Sequence, residues 1–227
     1  MSLRLLAVFA AGLVAFSSPA LAAGSRATLM RAAFATHDKH QALNLIDQAI
    51  EEAKAELARH PGDREARLEQ ALGVGYRGQL TRSPSEAKAA RRAFEALVAS
   101  DPRDPDARIA IAGWHLTAVG ELGGFLAHTL LGASKAKGLA ELERAVALGG
   151  NRAFYPAYAA LIRIRLDPDD IATPLALARQ AATAKTPEPI DRLMQRNAAR
   201  LIGPLSAGKG EEARRLAKLM LPFGTVN

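Results

Sequence analysis

The chain has 227 residues, with 30 Lys and Arg against 23 Asp and Glu, a formal charge of +7, no Cys and only 5% aromatic residues. No disulfide can brace it, so apolar burial has to hold it together, and its length allows one substantial core or a short array of repeats. The basic residues are scattered among acidic ones without interleaved aromatics, which excludes a nucleic-acid binder as the working reading, and the surplus charge favours anionic surroundings such as acidic partners or lipid head groups.

At the N-terminus, Arg4, the apolar run Leu5 to Phe16 and the small-x-small triplet Ala20-Leu21-Ala22 have the pattern of a cleaved secretory leader. That apolar run is too short to cross a bilayer, which takes roughly 20 residues, and no later stretch is both long and uncharged enough to try. The expectation is a leader over 1–22 and one helical domain over 23–227. No Cys stands at the cleavage point for lipid attachment. The expected product is therefore exported, soluble and not a lipoprotein, with the bacterial periplasm as its compartment.

Ala, Leu, Arg, Glu and Lys dominate the remainder and β-branched runs of strand length are missing, which predicts an all-α fold. Turn clusters punctuate it at His60-Pro61-Gly62-Asp63, Ser100 to Pro105, Gly149-Gly150-Asn151 and Thr186-Pro187-Glu188-Pro189. From Pro61 to Pro102, Gly150 and Pro189 the intervals are 41, 48 and 39 residues, a period that suggests stacked helical hairpins. Helix starts are legible too. Ser83-Pro84-Ser85-Glu86 combines a serine cap, a proline at the first helical position and a glutamate closing a capping box, and predicts a helix to about Ser100 with Ala87, Ala90, Phe94, Leu97 and Val98 on one face. Asp104-Pro105 and Thr186-Pro187 open helices by the same logic, and Glu211 to Leu221 reads as an amphipathic capping helix.

These spacings resemble the tetratricopeptide repeat (TPR). Ala90, Phe94, Leu97 and Pro102 stand at that family's intervals, as do Ala49, Ala53, Glu56 and Pro61, with Leu97 and Glu56 departing from its preferred alanine. Ile111, Ala112 and His115 stand at first-helix positions, and weaker copies read Gly138, Leu142, Ala145, Gly150 and Leu177, Ala181, Ala184, Pro189. The resemblance covers about Asp38 to Pro222. It implies a right-handed α-α superhelix, a solenoid of about five irregular TPR-like hairpins. Each repeat exceeds the family's length of about 34 residues. The excess falls between the two small residues, which are 19, 26 and 17 apart in Ala71 to Ala90, Ala112 to Gly138 and Ala160 to Leu177. Extra turns or loops are expected at one rim of the stack.

The largest excess, an apolar insert over 120–138, centres on Gly123 to Ser134 and is bracketed by glycines. In the TPR family the first helix of each repeat lines a concave groove. By register that implies Glu65, Leu68, Leu72 and Gly75, then Asp106, Ile109, Gly113 and Leu116, then Phe154, Ala157, Leu161 and Ile164. Phe125 of the insert, His115 at the groove edge, and Arg196 and Arg200 near its C-terminal end, where they would meet an anionic group, complete the candidate binding residues. Either the insert folds back and fills the groove, the commoner fate of such residues, or both form a surface for an apolar ligand or an amphipathic segment.

Catalytic signals are weak. Gly203 to Gly210 matches a phosphate-binding loop except that Gly210 replaces the magnesium-holding Ser or Thr, and no strand precedes it. Ser134-Lys135-Ala136-Lys137 has the spacing of a penicillin-interacting serine and lysine without that family's other motifs. His37 and His40 lack further metal ligands, and Asp38 between them reads as a helix cap. Arg91, Arg92, Arg214 and Arg215 read as solvated helix faces. No catalytic residue, metal or cofactor is expected. The expectation is a non-enzymatic binding or scaffolding module that presents its groove to a protein or peptide partner in the cell envelope, or to an anionic or apolar ligand. The alternative is a small-molecule or lipid-binding accessory component of a transport system with the insert as lid.

Overall fold

The computed structural model describes residues 22–226, so the expected leader, apart from Ala22, lies outside the described residues. Among the described residues the fold is all-helical: α1 (Ala22–Phe34), α2 (Lys39–Arg59), α3 (Arg64–Thr81), α4 (Pro84–Ser100), α5 (Pro105–Leu122), α6 (Gly124–Leu131), α7 (Lys135–Leu148), α8 (Phe154–Leu166), α9 (Ala172–Thr183), α10 (Pro189–Ser206) and α11 (Gly210–Met220). Side chains cap five of these starts by accepting orphan backbone N–H groups. Asp38 accepts from Gln41, Asp63 from Ala66, Ser83 from Glu86, Asp104 from Asp106 and Ala107, and Ser134 from Lys137. One expected start moves. The helix opens at Pro189 rather than after Thr186, because Glu188 caps it and Asp191 closes a capping box on the Glu188 N–H.

Consecutive helices pack antiparallel, α1 on α2, α3 on α4, α5 on α7, α8 on α9 and α10 on α11, while α2, α4 and α9 also pack against the helix that follows them. Small residues sit where helices cross: Ala49, Ala53, Ala90, Ala145 and Ala181 are all buried. The alternation leaves α1, α3, α5, α8 and α10 running in one direction, with neighbours among them in contact.

Two elements were not anticipated. The first is α1, which carries Leu29, Ala32 and Ala33 into the core. The second is the form of the insert, expected either to fill the groove or to make a surface beside it: it is a short helix, α6, with Phe125, Leu126 and Leu130 exposed. Gly123 (φ 77°) and Gly132 (φ 72°) adopt the left-handed region on either side of it, and a side chain there would be strained. Arg91, expected on a solvated face, reaches from α4 and donates to the carbonyls of Leu131 and Gly132 at 3.0 and 3.4 Å, capping the C-terminus of α6.

The two ends of the chain meet. After α11 the tail crosses to α1, where the Phe223 N–H donates to the Ala33 carbonyl at 2.8 Å and the Phe223 ring meets Tyr76 of α3 edge-on, 5.0 Å between centroids. Phe223 is buried in the same cluster as Ala32, Ala33, Ile46 and Ile50.

The phosphate-loop likeness ends here as well: Gly203 to Ser206 form the last turn of α10, so a helix, not a strand, precedes the turn. Gly210 has a packing reason, since a Cβ on it would lie 1.8 Å from the Pro168 carbonyl oxygen. Replacing Gly210 by Ala pushes α11 off the α8–α9 connection. The expected cost is about 1–3 kcal/mol, read as a lower urea midpoint.

Candidate functional site

The helices that run in one direction, together with the tail, surround a cavity of about 1010 Å³. Leu29, Met30 and Phe34 come from α1, Leu68, Leu72 and Tyr76 from α3, Ile109, Gly113 and Trp114 from α5, Phe154 and Tyr158 from α8, and Leu221 and Phe223 from the tail. Nine aromatic residues fall within 22–226, and seven of them line this one space: Phe34, Tyr76, Phe94, Trp114, Phe154, Tyr158 and Phe223. The lone tryptophan is fixed by its indole N–H, which donates to the Ala87 carbonyl at 2.8 Å, and by the Arg91 guanidinium over its ring. Burial pushes the Tyr76 phenol well above its usual pKa and that of Tyr158 to about 12, so both stay neutral.

At the N-terminal ends of α3, α5, α8 and α10 the wall turns polar. Arg26 of α1 donates to Glu69 at 3.0 Å and to Glu188 at 2.9 Å, and lies 3.6 Å from Glu65. Arg152 pairs with Glu188 and Asp191 at 3.2 Å and stacks over Tyr155, whose hydroxyl donates to Asp106 at 2.7 Å. Asp106 pairs in turn with Arg64 at 3.4 Å. Burial opposes the charge on Arg26, but the bond to Glu69 and the fields of Glu65, Glu69 and Glu188 outweigh it and hold its pKa above the usual value. For Glu69, 1% exposed with one carboxylate oxygen unpaired, burial wins over the help from Arg26 and raises its pKa to about 7.

Of the residues expected on the groove, Leu68, Leu72, Ile109 and Phe154 line the cavity, as do Gly75, Asp106 and Gly113. The rest need correction. Leu161 and Ile164 are fully buried in the core that also contains Ala213, Ala217 and Met220 of α11, because α11 packs across α8 as well as α10. On α8 the cavity face is Phe154, Tyr158 and Arg165, the last two one residue on from the TPR register. Leu116 is fully buried against α7, where a Cβ on Gly138 would come within 2.6 Å of its side chain. His115 is buried beside it, its Nδ1 accepting from the Ser134 N–H at 3.3 Å; burial first, then Arg91 and Lys137, lower its pKa to about 4. Its role is to hold the turn into α7. Phe125 is 81% exposed and points away from the cavity. Arg196 and Arg200 are exposed, because the inward stripe of α10 runs through Asp191, Met194, Ala198 and Leu201. The contributions of α1 and the tail were missed. Arg26 carries no motif, and only its later partners, as many as 162 residues away, give it a role.

A scan of family models, a search of curated proteins and a search of solved structures find no match to this chain.

The two shifted groups act on stability with opposite signs. Glu69 holds a proton up to about pH 7 when folded but releases it near 4.5 when unfolded, so its contribution falls as pH rises through that window. His115 stays neutral down to about 4 when folded but takes a proton near 6.5 when unfolded, so its contribution falls as pH drops through that window. Relative to the parent protein, Glu69→Gln should therefore gain stability, and His115→Gln should lose it, between about pH 4.5 and 6.5 as pH is raised, each by on the order of 3 kcal/mol at most. Urea unfolding across pH 4 to about 8 checks both slopes.

Proposed function

We propose that this protein is an exported, non-enzymatic binding protein whose working surface is the cavity, and that it encloses an apolar small molecule or lipid chain. The observation that carries this reading is the gathering of seven of nine aromatic side chains around one space of about 1010 Å³, the upper range for small-molecule sites. Apolar walls favour the ligand by burial, and the fixed rings lose little freedom when it arrives. Within the same reading the chain is a right-handed TPR-like solenoid of about five irregular hairpins, α5 and α7 forming the third with α6 between them, directed to the periplasm by residues 1–22.

The contact between tail and α1 favours an enclosed ligand over a peptide laid along an open groove, which would have to displace Phe223 from Ala33 and Tyr76. A carrier or accessory role in transport fits enclosure better than a scaffold does. Of the polar side chains on the wall, Arg26 pairs with Glu69 and Glu188, Arg152 pairs with Glu188, and Asp106 accepts from the Tyr155 hydroxyl.

Trp114 makes the test direct, because it is the chain's sole tryptophan and lines the cavity. Titration with the naphthylamine probe N-phenyl-1-naphthylamine and with long-chain fatty acids should quench or shift its emission saturably. The double substitution Ala110→Phe and Ala118→Phe, both on the cavity wall, should weaken binding about tenfold or more by steric exclusion without loss of helix. Unchanged affinity in that variant, or no saturable response to any apolar probe, would defeat the cavity reading.

A further inference from the structure

We propose that the mouth of the cavity docks on an anionic lipid surface, with Phe125 and Leu126 of α6 entering the acyl region. Phe125 is 81% exposed, Leu126 and Leu130 49% and Leu122 39%, and only Leu219, at 54%, matches them elsewhere among the described residues. Four of the five exposed large apolar side chains thus fall within nine consecutive positions. From Leu122 to Ser134 the sequence has no Asp, Glu, Lys or Arg, which suits a segment that leaves water for an interface.

Placement singles this patch out from a stray exposed leucine. Leu122 and Leu130 reach solvent and also line the cavity, as does half-buried Leu131. The apolar interior therefore runs without interruption out to the tip of α6, at the end opposite the Arg26 and Glu188 pairing. The charges that line the cavity toward this end are Lys39, Arg82, Arg165 and Lys218 against Glu121, which Arg165 pairs with. Lys39 and Arg82 lie beside the C-terminal ends of α1 and α3, and Lys218 in the last turn of α11. Lys39, Arg82 and Lys218, which line the same space as Leu122 and Leu130, add positive charge that complements anionic head groups over acyl chains. The bonds from Arg91 to the carbonyls of Leu131 and Gly132 hold α6 in place, so the tip is presented rather than loose.

The docking face rests on the cavity reading, since it supplies the route by which an apolar ligand passes between a lipid phase and the enclosed space without crossing water. Its test is separable. Binding to vesicles of phosphatidylcholine with about 20% phosphatidylglycerol is measured by flotation, at about 0.05 M and 0.5 M salt, for the parent protein and for Phe125→Asp with Leu126→Asp. The parent protein should bind these vesicles, bind pure phosphatidylcholine weakly and weaken at high salt. The double variant should lose affinity about tenfold or more, as expected for withdrawing two large apolar side chains from the interface. Neither Phe125 nor Leu126 lines the cavity, so the Trp114 response to N-phenyl-1-naphthylamine should survive the substitutions. Equal vesicle binding by parent and variant, or none by the parent, overturns the docking face, including in favour of a protein partner for α6. Vesicle binding that disappears in the variant while Trp114 never responds to an apolar probe upholds the docking face and sinks the cavity reading.

Discussion

Each hairpin of a helical stack buries its apolar face only against a neighbour, and at the two ends no neighbour remains. In this chain the ends cover each other. The tail lays Phe223 into the cluster formed by Ala32, Ala33, Ile46 and Ile50, and Arg26 ties α1 to Glu188 at the start of α10. The closure adds one wall to the cavity: Leu221 and Phe223 of the tail face the side chains that α1, α3 and α8 contribute.

The polar side of the closure is dearly held. Arg26 sits among three carboxylates, and one of them, Glu69, is almost entirely out of water with an oxygen that finds no partner. Burial of ionised groups is repaid only when geometry and hydrogen bonds are good, and here the cost surfaces as a carboxyl that prefers its proton near neutrality. The apolar contacts at the other end of the cavity carry no such penalty. The two ends of the same space therefore differ in character, ion-paired and tightly knit at one, apolar and facing outward at the other.

Local grammar made much of the helical framework legible. Asp38, Ser83 and Asp104, legible as caps, do cap helices, and Ala49, Ala53, Ala90, Ala145 and Ala181 are buried, while Ala184 is only half-buried. Seven of the register positions, Leu68, Leu72, Gly75, Asp106, Ile109, Gly113 and Phe154, line the cavity, whereas Leu116 is buried against α7. Register fails at Leu161 and Ile164 for a reason no periodicity contains, the folding of α11 across α8. Arg26, Phe223 and α1 as a whole escaped because their partners are remote in sequence; a helix next to an expected leader and a short tail carry no pattern that announces a meeting.

That meeting also orders events in folding. The contact of Thr225 with Thr36 joins residues 189 apart, and Arg26 with Glu188 joins residues 162 apart, whereas each hairpin is held by neighbours in sequence. Contacts that close long loops form only after the intervening chain has lost its freedom. The expectation is that the hairpins assemble before the tail docks on α1. The same step runs in reverse most readily, so the least protected amides of the folded core belong to the tail and to the turn of α1 that receives it.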